Sequence, residues 1–147
     1  VKLTRRGHYG IKALLDLAIW GDKQPVPVRA IAQRQSIPAP YLEKILMDLR
    51  RAHLVASVRG AGGGYQLLRS PAAISIYDIL TALGEATASV RTELPAWERS
   101  GDRVTLSLWQ RLEQTLVHSL RQVSLEDLYH DARSWQATQE QDAFFVV

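Results

Sequence analysis

The sequence predicts a mainly α-helical fold with one small β-hairpin and a long helix towards its C-terminal end. Three observations predict it. Apolar-striped segments follow one another between residues 9 and 52, with proline-bearing breaks between them. Four of the chain's nine glycines crowd into VRGAGGGY, residues 58–65, between two short alternating stretches. Trp109, Leu112, Leu116, Leu120 and Val123 then recur every three or four residues along a segment free of helix breakers.

Residues 9–20, YGIKALLDLAIW, place Ile11, Leu14, Leu15, Ala18 and Ile19 on one face at the helical period. Gly21-Asp22 ends this helix. Pro25-Val26-Pro27 imposes an extended connection, because proline fixes its own φ and restricts the residue before it. Residues 28–35, VRAIAQRQ, form a second, short helix with Val28, Ala30 and Ile31 inward. Ser36-Ile37-Pro38-Ala39-Pro40 breaks it, and Pro40 suits the first turn of the next helix, where its missing N–H costs nothing. Residues 41–52, YLEKILMDLRRA, carry Leu42, Ile45, Leu46 and Leu49 as a core stripe. Tyr41, Glu43, Lys44, Asp48, Arg50 and Arg51 occupy the other face.

The glycine run admits two readings, a cradle for a nucleotide phosphate or the tip of a hairpin. A dinucleotide fingerprint needs a third glycine where Tyr65 stands and a helix after it; a P-loop needs Gly-Lys-Ser/Thr, which is absent. The strand-like YQLL that follows favours the hairpin, with Arg59 and Arg69 near its two mouths. Three helices and then a hairpin are the layout of a winged helix-turn-helix. There the third helix lies in the DNA major groove. The hairpin, or wing, follows the backbone or the minor groove, whose narrow stretches attract arginine.

Residues 74–83 read as a helix capped by Ser75, and residues 85–102, with Pro95 and Gly101, as a loop. The longest helix runs from Asp102 or Val104 to Val123; its stripe is either a seam between paired helices or an ordinary core-facing side. Ser124 to Asp127 restart a final helix to about Thr138, and the apolar tail DAFFVV either docks on a partner or stays disordered. The expected division is a winged helix-turn-helix domain over 1–69, a linker helix and sensor-type loop over 70–101, and a dimerisation helix with a C-terminal helix and tail over 102–147.

Composition narrows the function. Residues 1–69 hold 12 Lys and Arg against 4 Asp and Glu, whereas residues 70–147 hold 6 against 11. A basic half joined to an acidic half suits a polyanion-binding part and a separate part for something else. No apolar run reaches the roughly 18 residues of a membrane span, and no signal-peptide pattern appears, so a cytoplasmic location and no membrane partner are expected. The chain has no cysteine, which excludes disulfides, thiolate zinc sites and cysteine nucleophiles. No Ser/His/Asp or paired-carboxylate arrangement suggests an enzyme.

The chain resembles the Rrf-two family of bacterial winged-helix regulators, the group of IscR, NsrR, RirA and CymR. The resemblance rests on LTRRGHYGIKALLDLA at 3–18, IPAPYLEKIL at 37–46, LVASVRGAGGGYQL at 54–67 and LWQRLEQTL at 108–116. It implies a homodimer, a repressor in the leading reading, on a partly palindromic operator in double-stranded DNA. It would turn Tyr41, Glu43 and Lys44 to the major groove, send Arg59 into the minor groove and lay Lys2, Thr4 and Arg5 on phosphates. Each residue keeps an alternative. Glu43 either accepts from a cytosine amino group or pairs with Arg50 or Arg51. Lys44 meets a base or only a phosphate, Arg50 and Arg51 meet phosphates or only water, and Tyr41 enters the groove or packs on the second helix. Trp109, Leu112, Leu116, Leu120 and Val123 would form the dimer seam.

In the family's iron–sulfur members three cysteines sit in the loop before the long helix. The matching segment here, residues 82–109, has none, so no cofactor is expected and an iron–sulfur cluster least of all. His8 is a weak ligand candidate, since none of the four histidines pairs with another at metal-binding spacing. Glu85, Glu93, Glu98 and Asp102 either hold a hard cation or simply face water, and Trp97 either caps a pocket or packs. The effector is left open between a small molecule and a protein. A rival reading makes the acidic half a dock for a partner enzyme, with DNA binding secondary.

Overall fold

The computed structural model describes residues 4–86 and 103–145. The first helix, α1, spans Arg5–Trp20 and so starts four residues before its expected start at Tyr9. Thr4 is the reason. It sits in extended conformation, and its hydroxyl accepts from the Gly7 N–H at 3.3 Å. Helix α2 spans Val28–Gln35 and α3 spans Ala39–Arg51, with Pro40 in its first turn. Ser36 ends α2 in the left-handed region at φ 54°.

Strands β1, Val55–Val58, and β2, Gly64–Leu67, form an antiparallel hairpin with Val58 opposite Gly64 at the tip and Val55 opposite Leu67 at the base. The turn closes through Gly63 N–H to Gly60 C=O at 2.9 Å. Gly60 and Gly62 both take positive φ, a conformation that side-chain-bearing residues rarely adopt. The Pro25-Val26-Pro27 connection serves as a third rung: Val26 and Tyr65 exchange both backbone hydrogen bonds at 2.8 Å.

A short 3₁₀ turn, Pro71–Ala73, leads to α4, Ile76–Ala82. Helix α5 covers Arg103–Gln122 and α6 covers Leu125–Phe145. The final helix therefore outruns its expected end near Thr138 and takes in the first residues of the DAFFVV tail. Two capping boxes meet where α4 and α6 begin. Ser75 with Asp78 and Ser124 with Asp127 each satisfy the first N–H groups of their helix reciprocally. The two serines form a β-bridge, flanked by Ile76 N–H to Val123 C=O at 2.9 Å and Leu125 N–H to Ile74 C=O at 2.8 Å. This joint fastens the C-terminal helices to the rest of the fold.

One core holds the assembly together. Leu14, Leu17, Ile31, Leu42, Ile45 and Leu49 lie where α1 to α3 meet, and Ile79, Leu80 and Leu125 extend the same cluster. Each such side chain contributes about 1.5–3 kcal/mol on leaving water. Asp16 is the exception to the apolar rule. It is fully buried on α1 and accepts from Arg34 at 2.8 and 2.9 Å and from Gln35 at 2.9 Å, which locks α1 to the end of α2. That bond raises the Arg34 pKa above its ordinary value. No described helix is long and apolar enough to cross a membrane.

Candidate nucleic-acid interface

The outer face of α3 is one continuous stripe. Pro40, Glu43, Lys44, Met47, Arg50 and Arg51 are all exposed, while Leu42, Ile45, Leu46 and Leu49 are buried behind them. The same 3.6-residue period that gives the helix a core side gives it this opposite side. Lys44 and Arg50 carry unneutralised positive charge, for neither has an ion-pair partner among the described residues. Glu43 makes no pair with Arg50 or Arg51. Arg51 instead bonds Asp48 at 3.1 Å. Tyr41 is half-buried at the edge of the stripe and packs edge-on against Tyr9 of α1, 5.7 Å between ring centres.

Met47 is absent from the sequence-based site, yet it is 47% exposed in the middle of the stripe. Its signal was legible: it falls off the Leu42–Leu49 core rows. An exposed apolar side chain in a DNA-reading face suits a thymine methyl group.

Arg59 is exposed beside the hairpin tip, immediately after β1. Arg69 is elsewhere. It follows β2 at the hairpin base, where it lines a shallow cavity of about 460 Å³ with Asp48, Arg51, Tyr77 and Thr81. The two arginines thus mark opposite ends of the hairpin, because the strands pair in register along their whole length.

At the start of α1, Arg5 and His8 are exposed. Thr4 is less free than expected: its hydroxyl caps α1 and also donates to Glu85. Arg6, which the sequence did not single out, bonds Asp48 of α3. Glu85 was expected in a solvated loop but is buried at 8% exposure against the start of α1. Sequence spacing cannot show such a contact, since the two lie 78 residues apart. Lys2, Glu93, Trp97, Glu98 and Asp102 lie outside the described residues. No group of three or more metal-ligating side chains forms among the described residues.

The seam residues of α5 are largely uncovered. Trp109, Leu112, Leu116 and Val123 are 44, 50, 44 and 38% exposed, whereas Leu120 packs against the core. Val104 and Leu108 add to the exposed apolar surface.

Residues 3–131 match the family Rrf2, described as iron-dependent transcriptional regulator. The chain is 49% identical, over the full length of both, to slr0846 of Synechocystis sp., provisionally named an HTH-type transcriptional regulator. It is 36% identical to the HTH-type transcriptional regulator IscR of Vibrio vulnificus, across all of this chain and 88% of that one. Among solved structures, IscR of T. potens superposes with a TM-score of 0.76 at 36% identity, covering 92% of this chain and 91% of that one. CymR, the global cysteine regulator of B. subtilis, does so at 0.71 and 32%, covering 88% and 97%. These relatives are regulators of transcription and not enzymes. With a three-helix unit, a wing and an open basic stripe on its third helix, the chain belongs to the Rrf2 family of DNA-binding transcriptional regulators.

Proposed function

We propose that this regulator works in the cytoplasm as a homodimeric repressor on a partly palindromic operator, two copies pairing along α5. The observation that carries the proposal is the uncovered apolar seam of Trp109, Leu112, Leu116 and Val123. Monomeric proteins rarely leave a contiguous apolar stripe of this kind in water. A second copy covers it by the same interdigitation that pairs helices in coiled coils. A two-fold pair then presents two α3 stripes to successive major grooves, about 34–36 Å apart. Glu43, Lys44 and Met47 read base edges, Arg50 and Arg51 approach phosphates, and Arg59 enters the minor groove.

The chain carries no thiolate. Its donor set therefore does not fit a cysteine-ligated iron–sulfur cluster, and control passes to a small-molecule or protein effector. Sedimentation velocity tests the dimer. The wild type is expected at twice the chain mass, and the Leu112→Glu, Leu116→Glu double variant at the chain mass with its helical content kept. A wild type that stays monomeric at micromolar concentration while still binding DNA tightly would overturn the pairing.

A further inference from the structure

The first turn of α1 has the wrong charge for a helix start. It contains no acidic residue and opens with Arg5 and Arg6, although the positive end of a helix dipole favours anions. The missing negative charge arrives from far away in the chain. Glu85, just beyond α4, reaches the Gly7 N–H with Oε1 at 3.2 Å and accepts from the Thr4 hydroxyl with the same oxygen.

The seat for this carboxylate is built into α1. A Cβ on Gly7 would collide with Glu85 Oε2, and a Cβ on Gly10 would collide with the Leu83 side chain. The two glycines, one helical turn apart, thus open a notch that admits Leu83 and Glu85 together. The fold tolerates a cost to keep the carboxylate there, for Oε2 is buried without a hydrogen-bond partner among the described residues. From the seat the connection runs onward: Arg6, in the same turn of α1, bonds Asp48 on the recognition helix, and Asp48 also bonds Arg51.

We propose that Glu85 is a positioning residue for DNA binding: seated in the Gly7–Gly10 notch, it anchors the basic start of α1, and through Arg6 and Asp48 it sets how the recognition helix is presented. The proposal rests on the reading of α3 as the DNA-contacting helix.

The test uses the full chain and a duplex that the wild type selects from a random-sequence library. Glu85→Ala removes the carboxylate. Gly7→Ala leaves it in the chain but fills its seat, while raising the intrinsic helix propensity of α1. Both variants are expected to bind the selected duplex about 5- to 150-fold more weakly, the usual range of coupling between distant groups. Binding to a scrambled duplex, which depends on charge more than geometry, stays unchanged. The double variant binds no more weakly than Glu85→Ala alone, because the added methyl then meets only the flexible end of the Leu80 side chain, at 3.0 Å. Wild-type affinity in both single variants, equal losses on both duplexes, or additive losses in the double variant would each overturn the proposal. A wild type that selects no duplex overturns the DNA-contacting reading itself, and the positioning role with it.

Discussion

At the scale of single residues, what a side chain can do depends on whether its polar atoms are already engaged. Arg59 stands exposed beside the wing tip, with no ion-pair partner among the described residues. Replacing it with Ala is expected to weaken operator binding by roughly 1–3 kcal/mol in a fluorescence titration. Unchanged affinity and unchanged sequence preference would remove it from the interface. Thr4 is in the opposite situation. Its hydroxyl is committed to Gly7 and Glu85, which ties it to the start of α1. Asp16 and Arg34 show a third case, an ion pair with a buried carboxylate and a partly exposed arginine, whose role is structural. The Asp16 hydrogen bond raises the Arg34 pKa, so the arginine stays charged and contributes no pH dependence near neutrality. Arg59 was legible in the sequence because a glycine turn exposes whatever flanks it. Asp16 and Glu85 were not, because burial of a carboxylate depends on partners that only the folded chain supplies.

At the scale of elements, the apolar period located the helices and the caps decided where they start. The helical pattern of α1 begins at Tyr9, yet the helix begins at Arg5 because Thr4 and Glu85 satisfy its first turn. The end of α6 was missed for a related reason. Its sequence has little amphipathic period, so nothing in the pattern marks where it stops. Its start is marked by the Ser124–Asp127 box. The hydrogen bond from the Ser124 backbone N–H, with the Ser124 side chain beside it, holds the Asp127 pKa below the ordinary carboxylate value. A depressed folded-state pKa gives stability that is present above the unfolded value and lost as pH falls through the folded one. Acid titration is therefore expected to loosen the α4–α6 joint below about pH 4, the ordinary carboxylate range. Asp127→Asn should remove that part of the acid limb when helix content is followed by circular dichroism. Because Asp127 is exposed, the effect is small, and a wild-type acid limb in the variant would show that the box carries no linkage.

At the scale of the whole molecule, charge asymmetry governs how the protein meets DNA. The basic first half contains the wing and the α3 stripe, and the acidic second half contains α5 and α6. A dimer making 6–10 phosphate contacts should lose about 10³–10⁵ in operator affinity between 50 and 200 mM salt. Measuring binding across that range separates the two ways of using the acidic half. A flat salt response would favour a protein-docking regulator over a DNA-docking one. Repulsion between acidic halves opposes pairing only weakly at physiological salt, where screening acts over about 8 Å.

The sequence by itself determined the order of the elements, the core rows of the helices and the glycine turn. Each of these follows from local rules: a period of 3.6, a proline that cannot continue a helix, a glycine that accepts positive φ. It also determined the absence of thiolate chemistry, which is a matter of composition alone. The tertiary structure decided everything that depends on distance through space. It set Arg59 and Arg69 at opposite ends of the hairpin, left most of the α5 stripe exposed, and brought Glu85 to the start of α1. A local pattern can say which face of a helix is apolar. Only packing can say whether that face is already covered, or which distant carboxylate completes its first turn.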